Sequence, residues 1–330
     1  MKRLLRSTAG LLAALAVAGA ALAQGGTALI YTSVPQNLID VLEAAFERDN
    51  PGYQLDVFRG GTAAILARVS AERQAGAIAA DLIWVADPSE IIALKQEGLL
   101  LEHSSAETEA LPAAFRDPDN QYFAGRVLGI VIAYNTLMVD GANAPQGWRD
   151  LLDPRFQGQT GFPTPANSGA SMVTIGALLA SEDFGEEFIA ELGANGMRQL
   201  RNNGDAAQMT ATGEVHASIG LDFQIRGLKE QGSPIDYVYP ADGAVFIPSP
   251  MAIFNTSENQ DAARAFVDYI LSQEGQQVLV EEANFIPVRD DVTGPQGAPA
   301  ADISQLEIDP DFIAENRERI LELYESNISP

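Results

Sequence analysis

The 330-residue chain contains no cysteine and only two histidines, His103 and His216. Disulfide scaffolds, zinc–thiolate modules, iron–sulfur proteins and enzymes with a cysteine nucleophile all need thiols, so the sequence excludes these classes. Any metal would have to be bound by oxygen ligands or by the two histidines. We therefore expect no metal site and no cofactor.

Basic residues are also scarce, with 20 Lys and Arg against 45 Asp and Glu and a formal net charge of −25. Proteins that bind nucleic acid concentrate Lys and Arg to displace counterions from phosphates, so nucleic acid is excluded as a partner. The hydrophobic content of 46% is too high for a disordered chain. The acidity therefore covers the surface of a folded protein.

The longest run of apolar residues lies at the beginning of the chain. Lys2, Arg3 and Arg6 precede an apolar run over 11–20, and Ala-Leu-Ala at 21–23 resembles a signal-peptidase site. We predict a cleavable signal peptide over 1–23, with a buried N-terminal helix as the alternative. The run is too short to span a bilayer, and without cysteine there is no site for a lipid anchor. We expect a mature protein that is free in the periplasm.

The remaining 307 residues are long enough for about two domains. Short apolar strands over 28–31, 55–58 and 81–85 alternate with segments in which apolar residues recur at helical spacing. Asp87 is placed to cap the third helix and Gly98 to end it. This alternation predicts an α/β protein with mostly parallel or mixed sheets flanked by helices.

Two long apolar strands, over 127–134 and 245–254, are predicted to cross between two lobes. Pro248 and Pro250 interrupt the second strand, which suits an irregular or edge position. Two ordinary core strands of one large sheet are the alternative. The predicted division places lobe 1 at 24–129 and 254–330 and lobe 2 at 130–253.

Two segments combine glycine with serine or threonine where a helix follows a strand: 59–62 and 167–171. The first N–H groups of a helix lack internal partners, and glycine lets a ligand approach them, so both segments are candidate anion sites. Ordinary helix caps are the alternative. Neither segment is a dinucleotide-binding or Walker motif. The predicted ligand contacts are Gly61, Thr62, Asn167, Ser168, Gly169 and Ser171.

Further candidates lie where other strands end, since ligands of open α/β sheets gather beyond the carboxyl ends of strands. Tyr31, Thr32 and Ser33 end the first strand, and Asp87 follows the third. Asp222 opens a helix after a strand, where its carboxylate could bind a ligand ammonium group or cap the helix. For catalysis the sequence offers no GxSxG or HExxH motif, so we expect a binding protein and not an enzyme.

Several segments together resemble periplasmic solute-binding proteins of ABC importers, in the cluster of ferric-ion, organophosphonate and phosphorylated-solute binders. The segments that carry the resemblance are 30–33, 59–62, 81–84, 129–136, 148–156, 167–171, 239–243, 248–253 and 275–287. The resemblance covers nearly the whole mature chain and implies a two-lobed type II periplasmic-binding-protein fold. It also implies a monomer that closes on a small solute and presents it to a membrane permease.

The resemblance adds Asn135, Phe223 and Tyr239 to the expected ligand contacts. Ferric binders of this cluster carry adjacent tyrosines near the position of Phe223, which has no phenol oxygen. We therefore expect an anionic or zwitterionic solute, with 2-aminoethylphosphonate as the leading candidate, because two helix starts suit the phosphonate and Asp222 the amine. Ferric iron is the first alternative and a secreted enzyme on the same fold is the second. A sensor that passes its ligand to a receptor is also compatible with the sequence.

Overall fold

The structure is a computed structural model that describes residues 25–299 and 303–328. The predicted signal peptide over 1–23 lies outside these residues. The strands are β1 (Gly26–Thr32), β2 (Tyr53–Arg59), β3 (Leu82–Trp84), β4 (Phe123–Asn135), β5 (Thr160–Pro163), β6 (Arg198–Leu200), β7 (Ala217–Leu221), β8 (Ile235–Val238) and β9 (Val245–Ile253). The α-helices are α1 (Gln36–Asp49), α2 (Thr62–Gln74), α3 (Pro88–Gln96), α4 (Ala106–Glu109), α5 (Gly169–Ala180), α6 (Gly185–Ala194), α7 (Asn203–Thr212), α8 (Asp222–Glu230), α9 (Gln260–Leu271), α10 (Gln273–Ala283), α11 (Pro310–Glu315) and α12 (Arg317–Asn327).

The strands form a mixed sheet in the order β2-β1-β3-β9-β4-β7-β5-β6, with β8 paired to β4. β1 runs parallel to β2 and β3, and β5 runs parallel to β6 and β7. β4 and β9 are antiparallel to each other and to their outer neighbours β7 and β3. The expected α/β architecture with flanking helices is confirmed. We use "first lobe" for β1–β3 with their helices and "second lobe" for β5–β8 with theirs.

β4 and β9 are the two strands that connect these lobes, as expected, but they lie at the centre of one continuous sheet, so β9 with its prolines is not an edge strand. All thirteen residues of β4 are buried. Val127 pairs in register with Pro248, and the Val127 N–H donates to the carbonyl of Ile286, which lies outside β9. The predicted boundary at 129/130 falls inside β4 and the one at 253/254 at the end of β9. These exact boundaries stay a prediction.

The helix boundaries follow from local chemistry near the cleft. Asp87 caps α3 by accepting a hydrogen bond from the Ser89 N–H at 3.0 Å, Pro88 occupies the first helical position, and Gly98 adopts a left-handed φ of 71° just after the helix. These three features confirm the predicted start and stop of α3. They also fix the position of the start of α3 just beyond the carboxyl end of β3.

The C-terminal segment differs from the expected arrangement. The sequence pattern over 309–325 predicts a single terminal helix, whereas the chain forms α11 and α12, separated at Asn316. The Asn316 side-chain amide donates to the Phe312 carbonyl, a local contact that competes with regular helix geometry. α12 packs against α5 and α6 of the second lobe, although we expected residues 254–330 in the first lobe.

Within the described parts of the chain, no helix is long and apolar enough to cross a membrane.

Candidate ligand-binding cleft

A cleft of about 580 Å³ lies between the lobes, at the carboxyl ends of the parallel strands. Helices α1, α2, α5, α7 and α8 each contribute lining residues from their first turn or the position before it. Each helix start carries a partial positive charge and N–H groups without an intrahelical partner. This convergence makes the cleft a favourable site for an anion.

Seven of the residues predicted from sequence line the cleft together. They are Ser33, Gly61, Thr62, Asn167, Ser168, Gly169 and Phe223. The pairing of the helix starts at 59–62 and 167–171 across the cleft is therefore a feature of the structure. Contact of these residues with a ligand stays a prediction.

The two lobes touch where these helix starts meet. A Cβ atom placed on Gly61 would lie 2.6 Å from the backbone oxygen of Asn167, and one placed on Gly169 would lie 2.7 Å from Oγ1 of Thr62. Real Cβ atoms essentially never approach other atoms this closely. Glycine at both positions therefore permits a closed arrangement in which the start of α2 directly faces that of α5.

The cap hydrogen bonds determine which N–H groups remain for a ligand. Ser168 caps α5 by accepting from the Ser171 N–H at 3.1 Å, and the Asn203 side-chain amide donates to the same Ser168 hydroxyl at 3.0 Å. At the start of α2, among the described residues, no side chain caps the N-terminal N–H groups. These groups are available to an acceptor in the cleft.

Arg126, on β4, places a buried guanidinium in the cleft wall. Its side chain is only 2% exposed, and its Nη1 has no hydrogen-bond partner among the described residues. Its Nε lies 3.4 Å from the Ser249 hydroxyl, and the group stacks over Phe285 at 4.2 Å and Trp84 at 5.1 Å from the ring centres. Burial lowers the pKa of Arg126 to about 9. An unpaired buried cation of this kind needs an anionic partner.

Tyr31 and Thr32 lie outside the cleft lining, although both were expected to contact ligand. Tyr31 is fully buried and donates its hydroxyl to Oε1 of Glu72 at 2.6 Å. Burial, reinforced by this hydrogen bond, raises the pKa of Tyr31 to about 12. Thr32 donates to the Trp84 carbonyl at 2.9 Å. Ser33, the first residue after β1, lines the cleft, whereas its two predecessors on the strand contact α2 and β3.

Asn135, Asp87 and Ser171 also make structural contacts and lie outside the cleft lining. The Asn135 amide donates to the Thr210 and Ala211 carbonyls at 2.9 and 3.0 Å, at the end of β4 opposite to the part that lines the cleft. Ser171 belongs to the buried side of α5, and its N–H is the group that Ser168 caps. Asp87 is fully buried as the cap of α3.

Asp222 and Tyr239 belong to a buried network behind the cleft wall, in which Asp222 forms an ion pair with Arg226. The Asp222 carboxylate accepts from Arg226 at 2.9 Å, from the Tyr239 hydroxyl at 2.8 Å and from the Gly129 N–H at 3.2 Å. Burial raises the pKa of Asp222, while the positive charge of Arg226 and both side-chain hydrogen bonds act in the opposite direction. The carboxylate is thus fully engaged by the protein and lies outside the cleft lining, so the structure does not place it against a ligand amine.

Most of the cationic and amide groups in the cleft were not predicted from the sequence as ligand contacts. These are Asn37, Arg59, Arg126, Arg201, Asn202, Asn203 and Gln224. Asn202 caps α7 soon after β6, so a pattern that admits asparagine, as well as serine or threonine, beside glycine at a helix start would have found it. Nothing in the local sequence distinguishes Arg126 from an arginine at the exposed end of a strand.

The side chains of the cleft have a uniform chemistry. Among the described residues, no carboxylate and no tyrosine line the cleft, whereas three arginines and several amide and hydroxyl side chains do. Of the arginines, Arg201 is paired with Asp205 at 2.8 Å and is largely exposed. The cleft therefore combines net positive charge with neutral hydrogen-bonding groups, the opposite of the acidic protein surface.

Comparison with known proteins agrees with this reading of the fold. Residues 78–313 match the family model of the bacterial extracellular solute-binding proteins. The chain is 25% identical, over 76% of its length and 78% of the relative's, to a Salmonella typhimurium periplasmic protein named for binding 2-aminoethylphosphonate.

Two solved structures share the fold over most of their length. The periplasmic binding protein AfuA from Actinobacillus pleuropneumoniae, with fructose-6-phosphate bound, superposes with a TM-score of 0.81 at 25% identity, covering 92% of this chain and 98% of AfuA. Iron-bound HitA from Pseudomonas aeruginosa has a TM-score of 0.78 at 23% identity, covering 91% of this chain and 98% of HitA. Both structures confirm the expected fold, and the family model together with AfuA, a periplasmic binding protein, confirms the expectation of a binding protein. The chain belongs to the family of bacterial extracellular solute-binding proteins.

Proposed function

We propose that this protein is the periplasmic binding component of an ABC importer and that it captures a small organic phosphate or phosphonate. The observation that carries the proposal is Arg126, a buried guanidinium in the cleft wall that contacts no carboxylate among the described residues. A phosphoryl group would neutralise this charge and accept hydrogen bonds from the uncapped start of α2. The similarity to phosphonate- and sugar-phosphate-named proteins supports the same ligand class.

Within this class, a ligand without an amine suits the cleft better than the 2-aminoethylphosphonate expected from sequence. The ammonium group was assigned to Asp222, which is 1% exposed and already bound to Arg226 and Tyr239. The neutral side chains that do line the cleft favour ligand hydroxyl groups instead. A hydroxylated phosphate ester would use both the guanidinium and these groups.

Ferric iron, the alternative, has less support from the cleft chemistry. Hard Fe(III) requires anionic oxygen ligands, yet the two candidate tyrosines point elsewhere: Tyr31 donates to Glu72 and Tyr239 to Asp222. Burial raises the pKa of both phenols, which opposes the phenolate form. Iron would therefore have to enter with an anionic chelator, as a ligand of the same positive cleft.

Periplasmic location, monomeric state and delivery to a permease belong to the same proposal. The predicted signal peptide supports export, and the closable cleft between two lobes supports handover to a membrane partner. A receptor in place of a permease would use the same closed form. Genes for a permease and an ATPase beside the coding gene would favour transport.

A ligand panel tests the proposal. The mature protein is melted with sugar phosphates, simple alkyl phosphates, 2-aminoethylphosphonate, inorganic phosphate, citrate, ferric citrate, amino acids and polyamines. A ligand present at about 100 times its dissociation constant should stabilise the folded protein by about 2.7 kcal/mol. We expect stabilisation by organic phosphates or phosphonates, confirmed by calorimetry. Stabilisation only by ferric iron with a visible tyrosinate band, or only by polyamines, would contradict the proposal.

A further inference from the structure

We propose that Arg317 is a positioning residue that latches the two lobes together and thereby sets the affinity of the cleft. Arg317 begins α12 and pairs with Asp87 at 2.5 Å and with Glu90 at 2.8 Å, both on α3. It also lies 3.1 Å from the Ser89 hydroxyl. One guanidinium thus bridges three side chains at the start of α3.

The partners of this ion pair belong to different lobes. α3 follows β3 and belongs to the first lobe. α12 is fixed to the second lobe, because it packs against α5 and α6, and the Tyr324 hydroxyl donates to the Phe162 carbonyl on β5. Arg319, two residues after Arg317, pairs with Glu186 within the second lobe. Separation of the lobes would therefore break the Arg317 contacts and preserve the Arg319 contact.

The latch lies directly behind the point where the lobes meet. A Cβ atom on Gly169, in the cleft lining, would lie 3.1 Å from Cβ of Asp87. The carboxylate of Asp87 is fully buried, and Arg317 is its cationic partner on the facing lobe. A buried carboxylate that loses its cation is left with an uncompensated charge, so the pair favours the closed arrangement.

A latch of this kind acts on all ligands equally. The apparent affinity of a binding protein is its intrinsic affinity reduced by the fraction of molecules in the binding-competent state. Loss of the latch should thus weaken every ligand by the same factor, on the order of tenfold, without changing their ranking. A residue that contacts ligand would change the ranking. This ligand readout rests on the proposed function, whereas the lobe separation of the ligand-free protein does not.

The experiment compares Arg317→Gln with Arg319→Gln, the matched control on the same helix. Because the chain has no cysteine, Gln74→Cys and Thr212→Cys allow specific dye labelling. These exposed residues lie at the far ends of α2 and α7, two helices that begin at the cleft, so energy transfer between them reports lobe separation. Arg317→Lys and Glu90→Gln are measured alongside, and circular dichroism monitors folding.

We expect lower energy transfer for Arg317→Gln than for the control in the absence of ligand, with partial recovery in Arg317→Lys. Glu90→Gln, on the partly exposed side of the latch, should shift the distance in the same direction. If Arg317→Gln does not fold, energy transfer in Glu90→Gln and Arg317→Lys still tests whether the latch holds the lobes together. Unchanged energy transfer in the folded variants would overturn the proposal. If no panel ligand binds, the proposed function fails, and the ligand-free distances still test the latch.

Discussion

Replacing Arg126 by methionine should weaken ligand binding and at the same time stabilise the ligand-free protein. A hydrogen bond to a charged group contributes about 1.5–3 kcal/mol, and a phosphoryl group can accept two from one guanidinium. We therefore expect binding of an organic phosphate to weaken by about 100-fold or more. Methionine retains the apolar stem against Phe285 and Trp84 but removes the buried charge.

The stabilising effect follows from the desolvation of the guanidinium. Arg126 is 2% exposed, and no carboxylate in the described part of the chain contacts it directly, since Asp222 acts on it only through its more distant charge. Replacing buried ionic groups by apolar ones of similar volume often stabilises proteins by about 1–4 kcal/mol. Loss of the contacts with the aromatic rings offsets part of this gain, about 0.5–2 kcal/mol. The free energy of unfolding of the variant should therefore rise by about 1–2 kcal/mol.

The assay is chemical denaturation of the ligand-free protein, with calorimetry on a panel ligand. Arg201→Met is the matched control, because this cleft arginine is largely exposed and paired with Asp205. The control should change the free energy of unfolding little and should weaken binding far less than Arg126→Met does. If Arg126→Met binds phosphate esters as well as the wild type, or is strongly destabilised without ligand, the reasoning about a functional buried cation is wrong.

The pH dependence of binding tests the same group. Burial lowers the pKa of Arg126 from its ordinary value to about 9, so an anionic ligand whose own charge is constant should bind with steady affinity below pH 9. Above that pH the affinity should fall by up to about tenfold per unit, since the free protein loses the proton that the ligand requires. Between pH 9 and the higher pKa that an arginine has in the unfolded chain, the unfolded chain holds the Arg126 proton more tightly than the folded protein does. The contribution of Arg126 to the free energy of unfolding therefore rises with pH in this range. Arg126→Met should lack the decline in affinity.

Two further substitutions test the lobe contact and the buried network. Gly61→Ala should weaken ligand binding by about tenfold, because its Cβ would lie 2.6 Å from the Asn167 backbone oxygen in the closed form. The control is Gly60→Ala, whose Cβ would meet its nearest neighbour at 3.4 Å, and calorimetry should show normal binding for it. Equal affinities for these two variants would show that the contact does not limit closure. Asp222→Asn should lower the free energy of unfolding by about 3–5 kcal/mol, since it leaves the Arg226 charge buried without a counter-ion. A loss below about 1 kcal/mol in denaturant titration would refute the ion-pair account.

Local sequence patterns predicted the scaffold of the cleft well, because capping and strand periodicity depend on neighbours in the chain. Asp87 caps the helix that it was expected to cap, and Ser168 caps α5, which was the alternative to a ligand contact for segment 167–171. The two helix starts with glycine face each other because the fold brings the carboxyl ends of β2 and β5 to one cleft. These features need only a few consecutive residues and a general rule about strand ends.

The charged residues of the cleft could not be predicted in this way, because their roles depend on distant partners. Arg126 is enclosed by Trp84 and Phe285, and its Nε neighbour Ser249 lies 123 residues away. Asp222 was assigned to a ligand amine because it opens a helix, yet Arg226, one turn later on α8, and Tyr239 on the facing segment bind it first. The sequence could not show whether the side chains of Arg126 and Asp222 point into the cleft or lie behind its wall.

The acidic surface and the positive cleft are compatible because they act over different distances. A net charge of −25 repels an approaching anion, but the screening length is about 8 Å at physiological ionic strength, so surface carboxylates beyond that range contribute little inside the cleft. Arg126 and the helix starts act within hydrogen-bond distance and in a partly desolvated site, where the same charge interacts more strongly. Because the cleft lining contains no carboxylate among the described residues, no side chain of the lining neutralises the positive charge of Arg126. The global charge thus governs solubility and encounter rate, while a few buried groups govern which solute is retained.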